Sequence, residues 1–468
     1  MSRYSYLFIG CFFLLISFLS FINIIYSYYF NFYLNVNSYL PPLVISFFGG
    51  IFFIFFKFKN KKLSIFDKVL FVISGYIIFP IIIALPYYFS IYDISFIDSF
   101  FESISGFTST GFTTFDNVQY LDPSLILWRS TSQWVGGLYF LFSIILLINI
   151  FDNNLKKSLT NFLSFDTSEF FKQSLKVFFI YLLLTIIIFF ILKFINFRNF
   201  DALNFSLSII SSGGFKSVNN LDYILNNDFK IIVFSFLLLI SFFSIFLIYN
   251  LIFHRFKYLN YFTEDFYLLV YLISITFFLF VFFSNNNFSL ILFSISSSVS
   301  NIGFYLSDNL NNNLSTIFLI LVIIGGSFFS TSSGIRFFKI FTLFRFALNN
   351  LLSHTKPKQI LLSKVKFDET QINYEVINKY FLSIIIFIIS LSIISALLTL
   401  SGLEFDQSVK LGILTIMNTV NSSLYGLENF EFQNLNIISK FILINFMIIG
   451  RVEFLTIIIL FKKYLFKN

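Results

Sequence analysis

Three Gly-Phe pairs in this sequence are each followed, five and six residues after the glycine, by Asp/Asn and then Asn. They are Gly111-Phe112 before Asp116-Asn117, Gly214-Phe215 before Asn219-Asn220, and Gly303-Phe304 before Asp308-Asn309. A fourth, looser window reads "NTVNSSLYGLEN": Asn421 takes the glycine position and Glu428-Asn429 follow at a longer distance. The windows are too polar and Gly-punctuated for a spanning helix, yet too apolar for an ordinary surface loop. Their chemistry is that of the backbone. Glycine admits a positive φ, which lets successive carbonyls turn toward one axis. Carbonyl rings of this kind replace the hydration shell of a permeating cation.

Such loops need elements to hold them. About 20 apolar residues cross the hydrocarbon core as a helix. Ten segments qualify: 4–30, 40–57, 67–92, 124–151, 174–197, 229–253, 265–284, 314–345, 377–401 and 437–462. Four half-polar helical stretches are too short to span: 97–108, 201–212, 288–300 and 406–419. Each lies directly before one of the four windows. The repeating unit is therefore span, short helix, polar loop, span, and it occurs four times. Non-helical backbone at membrane depth is tolerated only inside protein or along a water-filled path. Four such loops around one axis make a pore. The expected fold is an all-α polytopic membrane protein of about ten transmembrane helices. It has two extra N-terminal helices in 1–65, then pore repeats in 66–160, 161–256, 257–350 and 351–468. The N-terminal run is longer than a signal peptide's apolar region and is read as a retained helix.

Composition agrees. The chain is 57% hydrophobic and 12% charged, with a mean hydropathy of +0.86, against about 45–50% and about 25% in soluble proteins. Every second connection is basic, beginning with Lys57, Lys59, Lys61 and Lys62 and ending with Lys462, Lys463 and Lys467. The opposite connections carry mainly acids, among them Asp93, Asp98, Glu102, Asp222 and Glu404. The positive-inside rule puts the basic side and both termini in the cytoplasm. The net charge of +8 is then a property of the cytoplasmic face and does not suggest nucleic acid. One cysteine, Cys11, excludes an intramolecular disulfide and a cysteine-based metal site, and His254 and His354 are far apart. A membrane enzyme would need clustered His, Asp or Glu near one face, and the sequence has no such cluster.

"FFESISGFTSTGFTTFDN" resembles the first pore helix and filter of the TrkH/KtrB/HKT superfamily of potassium transporters. "LWRSTSQWVGGLYFL" is similar to the helix that follows it there. "GGSFFSTSSGIRFFKI" resembles the Gly/Ser-rich break in the second helix of the third repeat, and "IGRVEFLTIIILF" the last helix. The resemblance covers roughly residues 66–462, and the two additional N-terminal spans favour the bacterial TrkH branch. It implies K⁺ uptake across the bacterial inner membrane, with K⁺ as substrate, no bound cofactor and no enzymatic activity. It implies filter residues Thr110, Gly111 and Phe112; Gly213, Gly214 and Phe215; Ile302, Gly303 and Phe304; and Val420, Asn421 and Ser422. It implies a gate made of Gly325, Gly326, Ser327, Ser330, Thr331, Ser332, Ser333 and Gly334 together with Arg451. It also implies a homodimer in the lipid bilayer and a cytoplasmic nucleotide-binding regulatory ring of the TrkA type, with the loop 346–376 as a contact.

Individual charges carry further expectations. Glu102 either draws cations to the mouth or is a structural partner for a nearby Arg or backbone amide, and Arg129 is structural, near the outer end of a span where it can snorkel or pair with an acid. Lys216 should turn from the axis and pair with Asp116, Asp222 or Asp308. Arg451 sits mid-span, where ionisable groups mark ion pathways. Its expected acceptors are the broken segment 325–334 or Glu453. Two rivals remain: a Na⁺-permeable variant of the same fold, and a secondary transporter of another small solute. The latter should show inverted repeats and more charge within its spans.

Overall fold

A computed structural model describes residues 3–56, 64–115, 117–147, 170–253, 263–282, 287–306, 314–355, 374–427 and 430–452. Within these residues the chain forms sixteen α-helices and one two-stranded parallel pair. The two N-terminal helices, α1 (Arg3–Tyr29) and α2 (Leu40–Phe55), pack on each other. The first repeat follows with α3 (Ile65–Tyr88), α4 (Phe96–Phe107) and α5 (Pro123–Leu147). The second comprises α6 (Phe170–Phe194), α7 (Asn199–Ile210), α8 (Asp228–Leu238) and α9 (Ile245–Phe253). The third comprises α10 (Thr263–Phe282), α11 (Phe288–Val299), α12 (Ser315–Ile323) and α13 (Phe337–Thr355). The fourth comprises α14 (Tyr374–Leu400), α15 (Phe405–Ile416) and α16 (Ile437–Val452).

Local chemistry sets several of these boundaries. The Ser64 hydroxyl accepts the Asp67 N–H while Asp67 accepts the Ser64 N–H, a capping box that starts α3. The Ser95 hydroxyl accepts the Asp98 N–H at 3.2 Å and starts α4. Such caps satisfy amides that the first helical turn leaves orphaned.

Among the described residues, seven helices are long and apolar enough to cross a membrane, and the protein is a multi-pass membrane protein. Large apolar side chains such as Phe48, Phe190 and Phe277 point outward, as they do where lipid replaces water. α5 is different: its whole length is buried, so it forms the centre of the molecule. Two of the ten expected spans are not single helices. The segment 314–345 breaks between α12 and α13, as its small polar residues suggest. The segment 229–253 also breaks, against expectation: α8 passes through a 3₁₀ turn at Leu239–Ser241 and the helix resumes only at Ile245. The last span is described to Val452, so its end and Glu453 lie outside the described residues. The expected loop 346–376 is helical to Thr355 and again from Tyr374; 356–373 lie outside the described residues.

The four short helices, α4, α7, α11 and α15, span 12 residues each. They fall within two or three residues of the segments expected. Each is followed by a residue in the left-handed region: Ser109 (φ 58°), Ser212 (φ 58°), Asn301 (φ 62°) and Asn418 (φ 47°). The next amide then turns back onto the helix. Thr110, Gly213, Ile302 and Thr419 donate to the carbonyls of Ser105, Ser208, Ser297 and Leu414 at 2.8–3.1 Å. One local structure is thus built four times from four different sequences.

Candidate functional site: a fourfold loop ring and the broken helices beneath it

These four helix ends align the loops residue by residue. Two positions past the left-handed residue stand Gly111, Gly214, Gly303 and Val420. One position further stand Phe112, Phe215, Phe304 and Asn421. The fourth loop therefore differs from its expected alignment by one residue: Val420, not Asn421, occupies the glycine position, and Asn421 occupies the phenylalanine position. A serine seven residues before each Phe supports this alignment. The Ser105, Ser208 and Ser297 hydroxyls donate to the carbonyls of Phe112, Phe215 and Phe304 at 2.6, 3.1 and 2.7 Å. The fourth repeat has Leu414 there.

The three Phe side chains are buried and tie the loops to the scaffold. Phe112 stacks on Phe432 at 4.5 Å, Phe304 packs on Phe205, and Phe215 lies under the Arg129 guanidinium at 4.1 Å. The glycines stand close together. A methyl added to Gly111 would come within 2.8 Å of Gly214 Cα, and one added to Gly214 would come within 2.5 Å of Val420 Cβ. Only Gly111 (φ 84°) and Gly303 (φ 76°) of this ring use a positive φ. Repeats one and three thus share a backbone turn that repeats two and four lack.

Loop-to-loop ties close the ring. The Asn418 amide donates to Thr110 Oγ1 at 3.0 Å and the Asn301 amide to Thr419 Oγ1 at 3.1 Å. The Ser212 hydroxyl donates to the Ser300 carbonyl. At the remaining junction, between repeats one and two, Arg451 Nη2 lies 3.5 Å from both Ser109 Oγ and the Ser211 carbonyl.

Glu102 is fully buried and does not face the mouth. It accepts from Arg129 Nε at 2.8 Å, from Thr113 Oγ1 at 3.1 Å and from the Thr114 amide at 2.9 Å. Arg129 also donates to Thr113 Oγ1 at 2.9 Å. The pair is a strut behind the first loop. Gln133, one helical turn further along α5, accepts from Ser208 Oγ at 3.0 Å and from the Phe215 amide at 3.3 Å. The central helix thus braces the first two loops at once. Removing one partner of a buried pair costs about 3–5 kcal/mol. Glu102→Gln is expected to lower stability in detergent by about 3 kcal/mol, read as a drop in apparent Tm. Adding Arg129→Gln should recover part of that loss, and a double variant no better than the single one contradicts the strut.

Below the ring, the two broken helices are bonded to each other. The amides of Ser327 and Ser332 donate to the carbonyls of Phe242 and Ser241, and the Ile245 amide donates to the Phe329 carbonyl, at 3.0–3.1 Å. Ile324–Gly325 pairs in parallel with Ile335–Arg336 and closes the unwound segment at its base. Gly334 has φ 84°. Arg336 Nη1 donates to the carbonyls of Ser327 and Ser332 and to Ser330 Oγ at 3.0–3.1 Å. Two carboxylates at the start of α10, Glu264 half-buried and Asp265 buried, complete the frame. Glu264 accepts from the Phe328 amide at 3.1 Å and Asp265 from the Ser244 amide at 2.9 Å. Sequence reasoning missed both acids and Arg336; the signal was a Glu-Asp pair on the basic side.

Arg451 is 1% exposed and points into this frame. Its Nη1 donates to Ser333 Oγ at 2.5 Å, and its guanidinium covers the Phe140 ring at 4.1 Å. The expected link to the broken segment is therefore made, through a hydroxyl in place of a carbonyl. Among the described residues its Nε has no hydrogen-bond partner. Gly325, Gly326, Ser330, Thr331 and Ser332 all lie buried in the same segment.

On the other side of the ring a cavity of about 610 Å³ opens, lined by Gly111, Gly214, Lys216, Tyr305 and Asn421 among others. Lys216 lines this vestibule and forms no direct ion pair among the described residues. Its ammonium lies 4.4 Å from the centre of the Tyr305 ring. Of the acids expected to hold it, Asp116 and Asp308 lie outside the described residues.

No protein-family model matches the chain. It is 26% identical to the Trk system potassium uptake protein TrkG of Escherichia coli, over 92% of this chain and 96% of that protein. It is 24% identical to TrkH of the same organism, over 81% of each. The chain is a relative of the Trk potassium uptake proteins. An uncharacterized cation transporter of Methanocaldococcus jannaschii is 26% identical over 93% of this chain and 91% of its own. The crystal structure of the potassium transporter TrkH from Vibrio parahaemolyticus superposes with a TM-score of 0.80 at 21% identity, covering 97% of this chain and 98% of that one. The shared fold therefore reaches beyond the four repeats and includes the two N-terminal helices.

Proposed function

We propose that the chain is a potassium uptake transporter of the TrkH/TrkG type, a pore and not an enzyme. The observation that carries this reading is the fourfold helix end: four short helices, each ending in a left-handed residue that turns a loop into one ring, below a vestibule open to solvent. Backbone carbonyls of residues 110–112, 213–215, 302–304 and 419–421 are the K⁺ ligands in this reading, K⁺ being the substrate. The unwound segment 325–334 and Arg451 form the gate. The basic face and both termini lie in the cytoplasm of a bacterium, by the charge of the connections. A homodimer and a cytoplasmic nucleotide-binding ring complete the system. The ring is argued from the basic residues Lys356, Lys358, Lys364 and Lys366 after α13.

A poorly selective, Na⁺-permeable variant is the second reading, favoured by Val420 where the other loops have glycine. The secondary-transporter rival fits less well, because the four loops share one orientation and charge within the described spans is sparse. The test is growth of a potassium-uptake-deficient bacterium on low K⁺, with Rb⁺ uptake into proteoliposomes in parallel. Rescue with Rb⁺ uptake that excess Na⁺ does not suppress is the expected result. Equal Na⁺ and Rb⁺ uptake favours the second reading, and no uptake of either ion overturns both.

A further inference from the structure

The residue after each Phe-position residue forms a rim above the ring: Thr113, Lys216, Tyr305 and Ser422. All four line the vestibule, and one of them is a cation. Thr113 is taken up by Glu102 and Arg129. Lys216 is held by the faces of Tyr305 at 4.4 Å and Phe304 at 5.7 Å, a cation–π seat that fixes an ammonium without neutralising it. An alkylammonium is a monovalent cation close to K⁺ in size. Resting on the transport reading above, we propose that Lys216 is a tethered competitor for the outermost cation position of the pore, which limits cation access while it is protonated.

Among the described residues no carboxylate pairs directly with Lys216, and its ammonium is titratable. Arg129 lines the same cavity and is neutralised by Glu102 at 2.8 Å. Asp201 is taken by Ser217 and Arg198 at 2.8 and 2.9 Å. Asp222 favours the charged form of Lys216 from a distance, and Tyr305 supplies its ring. Positions 116, 307–313 and 428–429 lie outside the described residues. Desolvation lowers the Lys216 ammonium from the usual lysine range to about 8, and Asp222 opposes that shift. Below that pH the competitor is charged; above it the side chain is neutral and leaves the cation position to solvent ions. One pH unit below the midpoint the charged form leads by about ten to one.

The test is Rb⁺ influx into proteoliposomes with the pH varied on the vestibule side only. Wild-type influx is expected to rise about tenfold between one unit below the midpoint and the alkaline plateau. Lys216→Gln is expected to be fast at every pH, with no midpoint. Lys216→Arg keeps the charge across this range and should be slow and pH-independent. A merely structural lysine would be rescued by Arg and would leave the pH profile in place. Influx that is the same in wild type and Lys216→Gln, with the same pH profile, overturns the proposal while the transport reading stands. Absence of Rb⁺ influx in every protein at every pH overturns both.

Discussion

Arg451→Ala raises basal K⁺ flux through the purified protein about tenfold or more and weakens its dependence on a regulatory partner. Arg451 Nη1 holds Ser333 of the unwound segment at 2.5 Å, while Nη2 reaches toward Ser109 and Ser211 at the underside of the ring. One side chain thus ties the segment below the ring to the ring itself. A hydrogen bond from a charged group is worth about 1.5–3 kcal/mol. Losing the Ser333 bond therefore shifts a closed-to-open equilibrium by about tenfold or more. Removing the guanidinium also removes a fixed positive charge from the proposed cation path. Lysine keeps that charge but not the planar fork, so Arg451→Lys should fall between wild type and Ala. Rb⁺ flux in proteoliposomes without any partner reads the effect. Abolished flux in a folded Arg451→Ala protein would mean that the ring needs the arginine to hold repeats one and two together, and the gate assignment would fail.

Val420→Gly gives the second large effect, a higher K⁺/Na⁺ permeability ratio together with a higher flux. The Val420 side chain lies between two neighbouring loops. A methyl on Gly214 would come within 2.5 Å of its Cβ, and a methyl on Gly303 within 2.7 Å of its Cγ1. A β-branched residue is also poorly suited to the positive φ that Gly111 and Gly303 adopt. Valine therefore leaves one quarter of the ring bulky and bars its backbone from that turn, which Gly214 could adopt but does not. If one realigned carbonyl is worth about 1.5 kcal/mol to a cation, the ratio rises about tenfold. Val420→Ala should be intermediate. Asn421→Gly acts at the position that carries Phe in the other loops and should leave the ratio within about twofold. Reversal potentials under bi-ionic conditions separate these cases. A larger change from Asn421→Gly than from Val420→Gly would restore the alignment expected from sequence.

The short helices were readable because their signal is local: a half-polar run too short to span, set directly before a polar loop; a serine cap, Ser95, adds to it only at α4. The fourth loop was misaligned because both of its marker residues had changed. With Gly-Phe replaced by Val-Asn, Asn421 looked like the closest substitute for glycine. The retained marker was Asn418, whose left-handed backbone corresponds to Ser109, Ser212 and Asn301, and serine and asparagine announce that conformation weakly. The break in the second repeat was not legible for a different reason. "LLLISFFSIFL" contains neither glycine nor proline, and what opens it is tertiary. The Phe242 carbonyl receives the Ser327 amide, and the Ser244 amide goes to Asp265. A helix that exchanges its own hydrogen bonds for those of a neighbour leaves little trace in its own residues. For Glu102 the sequence left two roles open, a cation attractor and a structural partner; the structure shows the partner, because a buried arginine must find a carboxylate.

Four loops written in one polypeptide have an evolutionary consequence. Where a pore is assembled from four identical subunits, as in channels with four TVGYG loops, any change to the lining is copied fourfold. A valine would then obstruct all four quadrants and a lysine would place four ammonium groups around one ion. Here each replacement counts once. Natural selection can adjust the lining in quarter doses, testing one quadrant while three inherited ones keep the route in use. Val420 and Lys216 stand in different quadrants of the same ring, so each can be kept, reverted or exchanged without the other.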